Sequence, residues 1–409
     1  MNKSKASIYI VGAGMSGLTA ALYLEKMGYS PTIVEQSSEI GGRVNSDLFD
    51  GRILDRGFQV LLTAYPMVRK YLQLNNLRPA YFNSGAVVFI EGKQRVIAHP
   101  ILSPRFFVST LIAPIGSVKD KFLILKLYVK LVFKSVDTIF LTNEMTTLQY
   151  LKKFGFSDKI LHNFFVPFFG GIFLENELST SSRMFEFIFK MFASGRAILP
   201  ADGIKAVPLQ LKDQLQQTTF HFDTPVTQVE SGCLTFENGE TVHADAIIIS
   251  APIQNITSRH IKSLPNWKPC KVLYFLTEER CLPENFIALI PGGDSLANNL
   301  TYLPNSRQEN LLSVTVLNNN EMSDDYLIDH VVKELCSRCQ IHVASFLKMY
   351  TIPNALPDNL TANGTASKED MTVTRGVYFA GDYVLNGSLN AAMQSGEDAA
   401  KLAVNYLNG

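Results

Sequence analysis

The stretch "SIYIVGAGMSGLTAALYLEKMGYSPTIVEQ" constrains this chain more than any other. Gly12, Gly14 and Gly17 fit the spacing G-x-G-x-x-G. Ser7 to Val11 reads as a buried strand, Leu18 to Met27 as a helix that Gly28 can end, and Thr32 to Val34 as a second strand. That strand ends on Glu35, 23 positions beyond Gly12, near the offset of an acid that binds a ribose hydroxyl. Gly12 permits the tight turn, Gly14 lets backbone approach a pyrophosphate, and Gly17 lets helix and strand pack closely. Met15 and Ser16 then open the helix whose positive end faces the phosphates. Glu35 would repel a 2′-phosphate, which disfavours an NADP-type ligand. The loop implies a dinucleotide and leaves a transient nicotinamide and a resident flavin both open.

With 409 residues the chain exceeds one ordinary domain, and two are expected. Lys+Arg and Asp+Glu are both 37, so nothing points to nucleic acid as a partner. "MNKSKAS" before an apolar run imitates a secretory signal, but the glycine fingerprint inside that run makes it the first strand of the fold. No apolar run is long enough for a transmembrane helix. An odd count of five cysteines fits a reducing, cytoplasmic setting. Cys336 and Cys339 form a C-x-x-C without a second pair or suitable histidine, so they read as two helix positions rather than a zinc or redox site. The histidines are dispersed, and no metal site is expected.

Residues 120–135, "DKFLILKLYVKLVFKS", have helical period with Lys121, Lys126, Lys130 and Lys134 recurring every four or five positions. This cationic amphipathic helix suits a cap over an apolar pocket, or peripheral contact with an anionic membrane surface. Nine phenylalanines then fall between Phe164 and Phe192, enough for a core and for the wall of a pocket taking a flat or long apolar ligand. Further on, "GIKAVPLQLKDQL" reads as a helix. "CLTFENGETVHADAIIISAP" reads as a hairpin turning at Asn238-Gly239 and running into a buried strand, and Ser323 marks the start of another helix. Val377 to Ala380 reads as a strand, Gly381-Asp382 as the turn at its end, and Ser388 onward as a long helix.

Three stretches together resemble the flavin-containing amine oxidase superfamily, which holds monoamine oxidases, protoporphyrinogen oxidases and phytoene-type desaturases. They are the fingerprint ending at Glu35, "GGRVNS", and "GVYFAGDYVLNGSLNAAMQSGEDAA", with softer similarity in "FFVPFFGGIFLENELSTSS" and "YTIPNALP". The resemblance spans nearly the whole chain. It implies an α/β fold with a discontinuous Rossmann-like FAD-binding domain (1–75, 197–262, 350–409) and an inserted α+β substrate domain (76–196, 263–349).

The resemblance also implies a role for particular residues. Gly41 and Gly42 bring backbone to the pyrophosphate and Arg43 offsets its charge. Gln59 and Val60 pass along the isoalloxazine, and Val226 contacts adenine through backbone. Gly381 and Asp382 meet the ribityl and phosphate region. Ser388 caps a helix whose amides at Leu389 and Asn390 face the pyrimidine end of the flavin. The implied cofactor is FAD. It is expected to be non-covalent, because no cysteine lies near the C-terminal motif.

The implied chemistry is hydride removal from a small apolar substrate, lipophilic or polycyclic, by dehydrogenation or desaturation. Dioxygen or another acceptor then takes the electrons. An amine oxidase is the alternative, weakened because the only tryptophan, Trp267, lies far from the C-terminal motif. A non-catalytic flavin- or nucleotide-binding protein is a third reading. No catalytic residue is evident apart from Lys271, a weak candidate for the lysine that amine oxidases place near the flavin.

Overall fold

The computed structural model describes residues 6–99, 103–230, 232–251, 266–304, 310–317, 322–358 and 361–409. The expected domain boundary at 262/263 lies outside these residues. A six-stranded sheet runs in the order Thr219–His221, Thr32–Val34, Ile8–Val11, Ala246–Ile249, Val377–Phe379, Thr372–Thr374. Its first five strands are parallel, with Ile8 opposite Ala246 and Ile247 opposite Val377. All four residues of Ala246–Ile249 are buried, as a strand covered on both faces requires.

The Met15–Lys26 helix packs against the C-terminal Leu389–Asn408 helix. Small residues permit that approach. A Cβ on Gly396 would lie 2.1 Å from the Ser16 carbonyl oxygen, and one on Gly17 would lie 2.0 Å from that of Gly12.

A seven-stranded sheet runs in the order Val343–Pro357, Trp267–Thr277, Leu311–Leu317, Ala297–Tyr302, Ile287–Leu289, Gly85–Ile90, Lys93–Ala98. The strand Val343–Pro357 passes position 350 without a break. The strand Trp267–Thr277, second in that order, alternates faces. Lys271, Leu273 and Phe275 face the side that the Asp324–Cys339 helix covers, and Cys270, Val272 and Tyr274 face the other. This alternation corrects the reading of Lys271. Its ammonium lies 2.8 Å from Asp324 at the start of that helix, on the face away from the cleft. It is neither near the flavin motifs nor an edge lysine, because its strand is paired on both sides. Cys336 is exposed and Cys339 buried on the same helix, as two unrelated helical positions would be.

Helices from 103 to 194 carry the phenylalanines. Phe165, Phe169, Phe173, Phe185 and Phe187 are fully buried; the first four pack mainly on one another, with Phe169 and Phe185 centroids 4.7 Å apart, and Phe187 packs on Tyr65 and Phe140. Five of the nine are therefore core.

Asp55 joins the two regions. Tyr274 Oη donates to the Asp55 carbonyl at 2.9 Å, while the carboxylate Oδ1 accepts from Ser46 Oγ at 2.7 Å and Ile204 N at 2.9 Å. Burial pushes this carboxyl up to about 6 from 3.8, against the pull of those two bonds. The fold thus favours the protonated form. Its contribution is fully present below the unfolded value near 3.8 and is lost as pH rises through about 6. Asp55→Asn can keep both bonds through its amide oxygen. Since each pKa unit is worth 1.36 kcal/mol, the variant should gain about 2–3 kcal/mol over the parent at pH 7 and little at pH 4. Urea midpoints at both pH values check this, and a pH-independent difference would refute it.

Candidate functional site

A cleft of about 1120 Å³ opens at the carboxyl ends of the parallel strands and extends to the seven-stranded sheet. Gly12, Gly14, Met15, Ser16, Gly42, Arg43, Glu35, Gln59, Val60, Val226, Gly381, Asp382, Ser388 and Leu389 all line it. Gly17 does not; it serves the helix–strand packing assigned to it. Asn390 does not line it either, because its side chain turns inward, where Oδ1 accepts from Met67 N at 3.0 Å.

The glycines form a backbone cradle. Gly12, Gly41 and Gly42 have φ of 102°, 110° and 57°, and Gly14 pairs with Gly41 in an isolated parallel bridge. A Cβ on Gly14 would meet no protein atom within 4 Å, so the space in front of that amide is open. The adjoining helix has no acidic residue in its first turn. This arrangement fits the pyrophosphate of a dinucleotide. Glu35 Oε2 accepts from Ala13 N at 2.7 Å, and Oε1 accepts from Ser37 N at 3.0 Å and Ser37 Oγ at 2.8 Å. Three of its four acceptor positions are used, leaving one for a ribose hydroxyl.

At the third motif, Ser388 caps the Leu389–Asn408 helix, with Oγ accepting from Ala391 N at 3.0 Å. That leaves the Leu389 and Asn390 amides without helical acceptors, at a helix start where Ser388 and Leu389 line the cleft.

Arg43 and Asp382 were expected to meet the ligand separately, yet they hold each other. Nη1 to Oδ2 is 3.0 Å and Nη2 to Oδ1 is 2.5 Å, a bidentate pair. Burial alone would lower the Arg43 pKa, but the Asp382 carboxylate outweighs it and holds the group above its ordinary value. Arg43 Nη1 also donates to the Ala355 carbonyl at 3.1 Å, and its guanidinium lies 4.9 Å from the Trp267 ring centre. Trp267 in turn meets Tyr383 edge-on at 6.5 Å. Gln59 Nε2 is tied to the Arg43 carbonyl at 2.7 Å.

Trp267, Tyr383, Cys270, Asn299 and Thr315 also line the cleft, and sequence reasoning missed them. Tyr383 follows Asp382 directly, a signal that was there to use. Trp267 had none, since pairing of its strand with Val343–Pro357 brings it to the site. Burial pushes the Cys270 thiol up to about 12, so it stays protonated and a poor nucleophile. One part of the wall is apolar, with Phe168, Ile172, Met184, Ile188 and Phe192 from the helices and Ile287 and Leu289 from the sheet.

Comparison with known proteins places this geometry. The model of the family described as flavin containing amine oxidoreductase matches residues 15–404. Coproporphyrinogen III oxidase of Bacillus subtilis (strain 168) is 25% identical over 62% of this chain and 61% of that enzyme. Protoporphyrinogen oxidase 2, chloroplastic/mitochondrial, of Arabidopsis thaliana is 31% identical over 29% of this chain and 23% of its own length. The matches thus span less than two thirds of these curated relatives. A crystal structure of a protein described as a putative protoporphyrinogen oxidase, from Exiguobacterium sp. 255-15, superimposes with a TM-score of 0.73 at 16% identity, covering 100% of both chains. That likeness shows the fold, a mixed α/β architecture of the Rossmann-like FAD-binding kind. The chain belongs to the flavin containing amine oxidoreductase family, and FAD is its cofactor.

Proposed function

We propose that the protein is an FAD-dependent oxidoreductase that removes hydride from an uncharged apolar substrate, lipophilic or polycyclic, by dehydrogenation or desaturation. The observation that carries this reading is the composition of the cleft. Among the described residues its only carboxylates are Glu35 and Asp382; the first lies in the nucleotide cradle and the second is paired with Arg43. The wall from Phe168 to Phe192 offers rings and aliphatic groups only, so a flat or long hydrocarbon gains burial there at about 25 cal/mol per Å². An alkylammonium would find no unpaired carboxylate and would meet the Arg43 charge, which argues against the amine reading.

In this reading the region around the six-stranded sheet holds FAD, and the 103–194 helices with the seven-stranded sheet hold substrate. The Gly14 and Gly42 backbone accommodates the pyrophosphate, Glu35 the adenosine ribose, and Val226 the adenine. Asp382, steadied by Arg43, accepts from ribityl hydroxyls. Gln59 and Val60 flank the ring. The Leu389 and Asn390 amides at the helix start stabilise negative charge on its pyrimidine side. Bound flavin supplies hydride acceptance and onward electron transfer to dioxygen or another acceptor. Forming the double bond of a neutral substrate also releases a proton, which would pass to water. No cysteine lies near the C-terminal motif, so the flavin is non-covalent in this reading.

Anaerobic mixing of the purified holoprotein with porphyrinogens, polyenes and primary amines tests the reading. Bleaching by a porphyrinogen or polyene and not by amines is expected, with the flavin released by acid. Bleaching by amines alone would establish the amine oxidase reading. No bleaching by any of them, in a protein that holds flavin, would favour a binding protein without turnover.

A further inference from the structure

The helices at 103–134 leave an apolar surface facing solvent. On the Val118–Phe133 helix, positions 118, 122, 125, 129 and 133 form one stripe opposite the buried Asp120, Leu127 and Leu131. Phe122 is 68% exposed and Phe133 86%. The preceding Phe107–Ile112 helix buries none of its residues, with Val108 66% and Ile112 74% exposed. Such side chains in two consecutive helices are an exposed apolar concentration of the kind that marks an interaction surface. The cap-over-a-pocket alternative does not account for it, because the stripe faces away from the core.

Charge identifies the occupant. Between 103 and 134 the chain carries six basic residues and one acid in a protein of zero formal charge. That acid, Asp120, is 1% exposed and closes the helix's own capping box with Ser117. Lys130 and Lys134 reach the buried Glu186, and Lys121 bonds the Leu111 and Ala113 carbonyls. Arg105, Lys119 and Lys126 remain exposed beside the apolar stripe. Apolar side chains flanked by outward cations match a bilayer interface with anionic headgroups. Among the described residues no helix is long and apolar enough to cross a membrane, so the contact is peripheral.

We propose that the Phe107–Ile112 and Val118–Phe133 helices together dock the protein on an anionic lipid surface. The Ser182–Ser194 helix lies just behind. Lys190 Nζ on it donates to the Leu131 and Val132 carbonyls at 3.1 and 2.8 Å, while its Met184, Ile188 and Phe192 line the cleft. Uptake of an apolar substrate from the bilayer would follow, a consequence that rests on the substrate class proposed above; the docking does not rest on it.

The test is co-sedimentation of the flavin-loaded protein with phosphatidylcholine vesicles containing phosphatidylglycerol, and with phosphatidylcholine alone. Binding to the anionic vesicles is expected. It should fall by at least about tenfold for Phe122→Glu with Val129→Glu, and severalfold for Lys119→Glu with Lys126→Glu or on neutral vesicles. Flavin content should not change in either variant, since none of the four residues lines the cleft. No sedimentation of the parent protein, or undiminished sedimentation of the apolar-face variant, overturns the proposal. So does a concentration-dependent dimer abolished by that variant in a protein that ignores vesicles, since a second copy would then cover the face.

Discussion

A valine at position 14 is expected to leave a folded protein that emerges colourless from purification. Gly14 has φ −77° and ψ −176°, extended backbone that any residue adopts, so the substitution brings no torsional strain. A Cβ there meets no protein atom within 4 Å. The added side chain instead enters the space the glycine cradle leaves for pyrophosphate. Overpacking of this kind costs about 3 kcal/mol. At 1.4 kcal/mol per tenfold, FAD binding should weaken by at least about a hundredfold. Gly17→Ala is the contrast, because its Cβ lies 2.0 Å from the Gly12 carbonyl oxygen and must displace backbone. Flavin absorbance per protein after gel filtration, read with far-ultraviolet circular dichroism, separates the two. Gly14→Val should lose flavin and keep its spectrum, whereas Gly17→Ala should lose structure. Full flavin retention by Gly14→Val would mean that the phosphates lie elsewhere.

That experiment bears on the part of the molecule most legible in sequence. The cradle is built from local rules: a strand, a turn that only glycine accommodates, and a helix start, all within the first motif and "GGRVNS". Ser388 was legible for the same reason, since an N-cap is decided by its own next three residues. Contacts distant in sequence were not legible. The Arg43–Asp382 pair joins residues 339 positions apart, and Trp267 reaches it only through sheet register. Lys271 was misread because a strand residue's face depends on which side is covered, and the Asp324–Cys339 helix decides that. The phenylalanines fell between these cases. Helical period identifies an apolar face, but it does not say whether another helix or a ligand covers that face.

Phe169 and Phe168 resolve that ambiguity side by side. Phe169 is 1% exposed and lies within 4.7–6.5 Å of the rings of Phe165, Phe168, Phe173, Phe185 and Phe189. Phe169→Ala should open a cavity that its close-packed neighbours cannot refill, at a cost of about 3–5 kcal/mol. Against a typical total of about 5–15 kcal/mol, that is enough to shift a urea midpoint far toward zero. Phe168 is only partly buried, packs at 5.5 Å on Phe192, and lines the cleft beside it. Its loss leaves space continuous with the cleft rather than a sealed void, so Phe168→Ala should cost roughly 1 kcal/mol or less. The effect should appear instead where an apolar substrate leans on the ring, as a raised KM with flavin content unchanged. Urea denaturation of both variants, with turnover on whichever substrate bleaches the flavin, decides the assignment. Equal destabilisation by the two substitutions would make Phe168 a core residue and remove the ring it contributes to the proposed substrate wall.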